Sequence, residues 1–232
     1  MSIQEKELVI SYLTLRQMIG WVALILPFSI RVGAYVFESV HSTNTISAYY
    51  YTGMRDVLVS SLVLAGALLM CYRTPALRDN VVASIAGLAA IGIALFPLQP
   101  TYAKEILEQF PDTATRACYA SHGILGFHLY FGVCFFALSF YLVQFRFSAF
   151  TPKMPTKRKL LRNKIYKICG LVMLASMIVI GVLDRLDKDP SIFWPESLFV
   201  IAYAMAWLVK GQVVLRDHPS RVVHSPHRPR NE

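Results

Sequence analysis

Six long apolar stretches, separated by short polar segments, constrain this chain more than any other feature. They cover residues 17–37, 54–72, 81–98, 124–145, 165–183 and 193–209. Each is close to the roughly 20 residues that an α-helix needs to cross the hydrocarbon core of a bilayer. Hydrophobic residues make up 55% of the chain and charged residues 16%, a balance that excludes an ordinary soluble domain. We therefore predict an all-α fold, a polytopic membrane protein whose residues 1–212 form a six-helix transmembrane bundle.

The distribution of basic residues predicts the orientation of the bundle. Of the 23 Lys and Arg residues, 17 lie in the amino terminus, in the segments after the second and fourth stretches, and in the tail. Short cytoplasmic loops carry such an excess of basic residues, so both termini are expected in the cytoplasm. The protein is then a multi-pass protein of a bacterial inner membrane. The tail, residues 213–232, is basic and rich in proline, which is typical of disordered chain.

A dense basic stretch extends from Arg146 to Lys167, between the fourth and fifth apolar stretches. Next to a membrane, such a stretch is expected to contact anionic lipid headgroups. The net charge of +9 therefore reflects topology, and we predict membrane lipids as partners and no nucleic acid. No pattern in the chain identifies a protein partner.

Small residues recur in the second and third stretches, including Gly66 and Gly87. Small side chains allow two helices to approach closely in a membrane. The sequence therefore predicts that these two spans lie in the middle of the bundle.

Polar side chains gather where the predicted topology places the outer leaflet. These candidate site residues are Arg31, Ser47, Tyr49, Arg55, Asp56, Ser60, His128 and Glu196. Ionisable groups beside membrane spans are costly and usually face a partner, a cavity or water. We predict that four of them lie within hydrogen-bonding or water-bridged reach in one outward-facing cavity, namely Arg31, Asp56, His128 and Glu196.

A purely structural interpretation of the same residues is also open. Asp56 and Glu196 each lie in the first turn of a predicted helix, where the helix dipole stabilises a carboxylate. His128 has apolar neighbours and no helix-end role, so it needs a hydrogen-bond partner or a ligand.

Binding without catalysis is the function that these patterns favour. The ligand is a lipid headgroup, a small molecule or a protein at the outer leaflet, with Arg31 and Arg55 as anion contacts and residues 49–51 as an aromatic rim. No cofactor is expected. The chain contains no GxSxG, HExxH or phosphate-binding glycine loop, so the patterns do not favour an enzyme.

Two alternatives remain open. A zinc-dependent hydrolase of lipid amides or esters would use His41, His122 and His128 as ligands, although the last two are six residues apart and not four, as in a helical zinc pair. A small permease or channel is the third hypothesis, and the chain lacks the midplane charges that this function usually requires.

The run Ser47-Ala48-Tyr49-Tyr50-Tyr51-Thr52-Gly53-Met54-Arg55-Asp56-Val57 resembles a pattern in an uncharacterised family of bacterial six-span membrane proteins, a domain of unknown function. Further similar pieces are Ile93-Ala94-Leu95-Phe96-Pro97, His128, Asn163-Lys164-Ile165-Tyr166 and Trp207-Leu208-Val209-Lys210-Gly211. That family is more distantly similar to DRAM-type and Frag-type membrane proteins. The resemblance implies the six-span fold and no particular activity.

Overall fold

A computed structural model describes residues 3–99, 106, 108, 126–149, 156–186 and 191–216, with side chains from residue 11 onward. This part of the chain is helical and contains no strand. Six long helices are present: α1 (Ile3–Glu38), α2 (Arg55–Cys71), α3 (Leu77–Leu95), α4 (Phe127–Tyr141), α5 (Lys157–Leu186) and α6 (Phe193–Lys210). A 3-10 helix, Ser47–Tyr51, precedes α2, and a π-helical turn, Leu142–Arg146, extends α4.

The helices follow the apolar stretches, and two of them extend well beyond the predicted ends. α1 begins at Ile3 and α5 at Lys157, where the chain is charged. Lys, Arg, Glu and Leu favour the helical conformation, so these polar segments continue the helix after the apolar residues end. Hydropathy alone detects the membrane-length core of a helix and misses such extensions.

Four segments are long and apolar enough to cross a membrane: Ser11–Glu38, Leu77–Leu95, Phe127–Arg146 and Lys157–Leu186. α2 does not belong to this group because it has 17 residues and is too short. α6 has 18 residues, but Glu196 and Lys210 lower its mean hydropathy, so it does not belong to the group either. The described part of the chain is thus all-helical and contains four helices that could span a bilayer.

Each long helix packs against its successor, and α6 also packs against α1, so the bundle closes on itself. α6 occupies the most enclosed position. Its Phe199 and Trp207 are fully buried, and the Trp207 ring lies 4.9 Å from the ring of Tyr72 and 5.0 Å from that of Phe147.

α2 and α3 touch through their glycines. A Cβ atom on Gly66 would lie 2.6 Å from the carbonyl oxygen of Gly87, and a Cβ on Gly87 would lie 2.5 Å from that of Gly66. The small residues therefore bring two backbones into contact. Eight residues of α3 are buried and three of α2, so α3 lies deeper in the bundle than α2.

Candidate functional site

A cavity of about 580 Å³ opens at one end of the bundle, where α2, α4 and α6 finish and α3 and α5 begin. We call this end the basic end and the opposite one the far end. Six cationic side chains line the cavity: Arg16, Arg73, Arg146, Lys159, Arg162 and Lys210. Among the lining residues that the structure describes, they face one carboxylate, that of Asp79. The cavity therefore carries a strong positive potential.

Because the helices alternate in direction, α1, α3, α5 and α6 contribute to this lining, and so do the segments that directly follow α2 and α4. Arg16 belongs to α1, Arg73 follows α2, Asp79 lies in the first turn of α3, and Lys210 is the last residue of α6. Cations from distant parts of the chain thus reach the same space.

Arg16 is held by neutral groups. Its guanidinium lies 4.1 Å from the centre of the Tyr12 ring and donates a hydrogen bond of 3.3 Å to the backbone carbonyl of Lys210. Its Nε is buried and makes no hydrogen bond to the described part of the chain. The Tyr12 hydroxyl in turn donates to the carbonyl of Arg73.

Lys210 has a similar environment. Its Nζ donates to the carbonyl of Phe147 at 2.9 Å and lies 4.9 Å from the centre of that residue's ring. Carbonyl oxygens and aromatic faces position a cation without neutralising it. Neither side chain is therefore paired with a carboxylate through the contacts described above.

Asp79 pairs with Arg146 across the cavity wall. Its Oδ1 accepts a hydrogen bond of 2.5 Å from Nε of Arg146, and the side chain of Asp79 is only 5% exposed. The position at the start of α3 also stabilises this carboxylate through the helix dipole. One acid among six cations leaves a clear excess of positive charge.

The chain that follows α6 folds back beside the cavity. Arg158 donates to the carbonyl of Arg216 at 2.5 Å, and Gln17 donates to the carbonyl of Gly211 at 2.8 Å. Gln212, which lines the cavity, has a φ of 58°, and this left-handed turn directs the segment back over α1 and α5.

In its described part, the lining has mainly arginine, lysine and tyrosine as polar side chains, together with Thr74, Asp79 and Gln212. Its chemistry is that of an anion-binding site, in which guanidinium and ammonium donors surround a space large enough for a headgroup.

At the far end, the predicted outer-leaflet residues make separate contacts. Glu196 accepts a hydrogen bond of 2.7 Å from the backbone nitrogen of Ile46, and Arg31 lies over the rings of Phe193 and Trp194, 4.9 and 5.1 Å from their centres. Within the described residues, no hydrogen bond or ion pair joins any two of the four residues predicted to form one cluster.

His128 does meet one other residue of the predicted set. Its Nδ1 lies 2.8 Å from the carbonyl oxygen of Phe96, and its Nε2 lies 3.0 Å from Oγ of Ser47. A carbonyl can only accept, so Nδ1 carries a proton, and in the neutral ring Nε2 accepts from the serine hydroxyl. The histidine thereby ties the 3-10 helix to α3 and α4.

The predicted aromatic rim needs correction, because Tyr49 and Tyr51 are fully buried. The 3-10 helix turns both rings into the protein and leaves only Tyr50 half-buried. Burial raises the pKa of the Tyr51 hydroxyl, which stays protonated and donates to the carbonyl of Leu98.

The remaining members of the predicted set also have local partners. Arg55 donates to the hydroxyl of Tyr50 at 3.0 Å, while Asp56 is exposed and its backbone carbonyl accepts from Ser60 at 2.5 Å. The Arg55 contact joins the start of α2 to the 3-10 helix, and the Ser60 contact lies within α2.

For the alternative zinc site, His122 lies outside the described residues. His41 is bonded to the carbonyl of Ser39 at 3.0 Å, and both ring nitrogens of His128 have protein partners. In the part of the chain that the structure describes, no three His, Cys, Asp or Glu residues are grouped closely enough to hold a metal ion. The zinc site stays a prediction.

Sequence reasoning identified Arg146 and Lys159 as part of the basic stretch, and it did not identify the cavity that they share with Arg16, Arg73 and Lys210. One signal was present: these cations flank the ends of different apolar stretches on the same predicted side. Neither their inward orientation nor the role of Asp79 can be read from such a pattern.

Together the fold and the cavity define an all-helical protein with membrane-length helices and an electropositive site at one end. Comparison with protein-family models, with curated proteins and with solved structures finds no match for this chain.

Proposed function

We propose that this protein is a six-span integral membrane protein that binds an anionic lipid headgroup in the cavity at its basic end. The single observation that carries the proposal is the lining of that cavity, with six cations and one carboxylate. Among the described lining residues Asp79 supplies the one carboxylate, and an anion in the cavity would offset the remaining positive charge.

Exposed apolar side chains support the membrane assignment. Large hydrophobic residues are exposed along α1 and α5, and the same is true of α2 and α6; examples are Phe28, Val32, Leu171, Ile178, Leu64 and Leu198. In water such a surface would be unfavourable, whereas lipid tails would cover it. We therefore assign all six helices to the membrane, including the two that do not reach membrane length and hydropathy by themselves.

The location of the cavity fits this environment. The excess of basic residues assigns the basic end to the cytoplasmic face of a bacterial inner membrane, where anionic lipids are the natural counter-ions. Arg146, Lys159 and Arg162 belong to the stretch predicted to contact such headgroups.

Lipid binding to the purified full chain in neutral detergent tests the proposal. Native mass spectrometry would compare dioctanoyl phosphatidylglycerol, which is anionic, with dioctanoyl phosphatidylcholine, which is zwitterionic. We expect the anionic lipid to bind and Lys159→Gln to weaken its binding up to about tenfold, since a charge-assisted contact contributes about that much.

Lys164→Gln is the matched control. Lys164 belongs to the same helix, is exposed and does not line the cavity. Equal weakening by both variants would show general attraction of lipid to a basic surface and would contradict a site in the cavity.

A further inference from the structure

Arg146 and Asp79 form an ion pair, and an anionic ligand can replace the carboxylate in it. One nitrogen of the guanidinium, Nε, meets one carboxylate oxygen at 2.5 Å. Arginine and carboxylate bind each other most strongly through two parallel hydrogen bonds, and this pair forms only one. The carboxylate of Asp79 therefore occupies an anion position on Arg146 without using the whole guanidinium.

Two other cations next to this pair, Arg16 and Lys210, are held by neutral groups. Arg16 stacks on a tyrosine ring and donates to the carbonyl oxygen of Lys210, whose own ammonium group donates to the carbonyl oxygen of Phe147. Rings and carbonyl oxygens carry no full negative charge, so an anion in the cavity would be favourable beside these two cations. The cavity thus offers one anion position occupied by Asp79 and further donors beside it.

The charge of the ligand follows from competition with Asp79. This carboxylate is tethered in the cavity, which gives it an effective concentration of about millimolar or more at Arg146. A ligand group with a single negative charge competes for Arg146 with the Asp79 carboxylate, which has the same charge and is tethered beside it. A phosphomonoester carries about −1.5 to −2 charges at pH 7, so it can replace the carboxylate and still neutralise a neighbouring cation.

Building on the proposed function, we propose that the cavity selects a phosphomonoester headgroup, whose phosphate takes the place of the Asp79 carboxylate on Arg146. Asp79 is then the residue that limits affinity. It keeps Arg146 paired when no ligand is bound and discriminates against singly charged phosphodiesters.

Microscale thermophoresis with the full chain in neutral detergent tests this inference. The probes are dioctanoyl phosphatidate, which is a phosphomonoester, dioctanoyl phosphatidylglycerol, which is a phosphodiester, and inorganic phosphate. We expect the wild-type chain to bind the phosphatidate about tenfold more tightly than the phosphodiester, which corresponds to one additional charge-assisted contact.

Asp79→Asn removes the competing charge and is expected to tighten phosphatidate binding about three- to tenfold. Asp56→Asn is the matched control, because Asp56 is also in the first turn of its helix but lies at the far end. An unchanged control together with tighter binding by Asp79→Asn would support displacement, since structural damage would weaken binding.

The comparison of the two lipids needs no variant and remains decisive if Asp79→Asn does not fold. If the wild-type chain binds both lipids with equal affinity and Lys159→Gln still weakens lipid binding, this inference is overturned and the proposed function is retained. No binding of either lipid would overturn both. Phosphate binding as tight as that of phosphatidate would support the phosphate class and assign the ligand to a soluble source.

Discussion

Glu196 anchors the loop between α1 and α2, because its carboxylate accepts the hydrogen bond from the backbone nitrogen of Ile46 at 2.7 Å. A second contact at the same place joins the nitrogen of Ile192 to the carbonyl of Asn44 at 2.7 Å. Removing the carboxylate would leave a half-buried backbone donor without its partner. The sequence identified Glu196 as notable, and only the folded loop shows what it binds.

We expect Glu196→Ala to lower the free energy of unfolding by about 1–3 kcal/mol, the cost of leaving a buried backbone donor without its acceptor. Thermal unfolding in detergent would measure this, and hydrogen exchange should rise at Ile46. Asp56→Ala, which removes an exposed carboxylate from the first turn of α2, is the control and should change little. Equal losses in both variants would mean that the dipole of the helix and not the loop contact is responsible.

At the scale of elements, the contact of α2 with α3 depends on two glycines. A Cβ atom on Gly66 would lie 2.6 Å from the carbonyl oxygen of Gly87, which is backbone and cannot rotate away. The helices would have to separate, and the packing around them would loosen.

Gly66→Ala is therefore expected to destabilise the protein by about 1–3 kcal/mol, although alanine favours an isolated helix by about 1 kcal/mol. Gly181→Ala on α5 is the matched control, because a Cβ there would meet nothing within 4 Å. Unfolding temperatures of the two variants should move in opposite directions. A stabilised Gly66→Ala would show that the two helices adjust freely.

For the whole molecule, the number of spans decides on which side each loop lies. His41 and Lys157 are separated by α2, α3 and α4. If all six helices cross the membrane, three spans lie between these residues and they face opposite sides. If only the four membrane-length helices cross, two spans lie between them and they face the same side.

Single cysteines at the two positions in a cysteine-free background would distinguish these topologies. A membrane-impermeant maleimide is expected to label His41→Cys in intact cells and Lys157→Cys only after permeabilisation, in agreement with the charge distribution. Labelling of both cysteines in intact cells, or of neither, would contradict six spans. The reverse pattern would place the basic end outside and would remove the argument for cytoplasmic lipids.

Much of the fold follows from local properties, because the length and apolarity of each stretch predict a helix wherever it packs. The existence of all six helices was predictable in this way, and so was the concentration of cations toward one predicted side. The residues at which α1 and α5 begin were not predictable, because charged residues end a hydrophobic stretch and can still continue a helix.

The site depended on tertiary structure for a different reason. Arg16, Asp79, Arg146 and Lys210 are distant in the chain, and only antiparallel packing brings them around one cavity. Conversely, the sequence predicted a site from the far-end residues. In the structure, Glu196, His128 and Arg55 each form a hydrogen bond with the loop between α1 and α2. By itself the sequence determined the helical class and the side on which charge accumulates, because hydropathy and charge are properties of single residues and short segments. The tertiary structure decided which cations face inward and which carboxylate pairs with them. The reason is that the direction of a side chain and its partner depend on how the helices are rotated against each other.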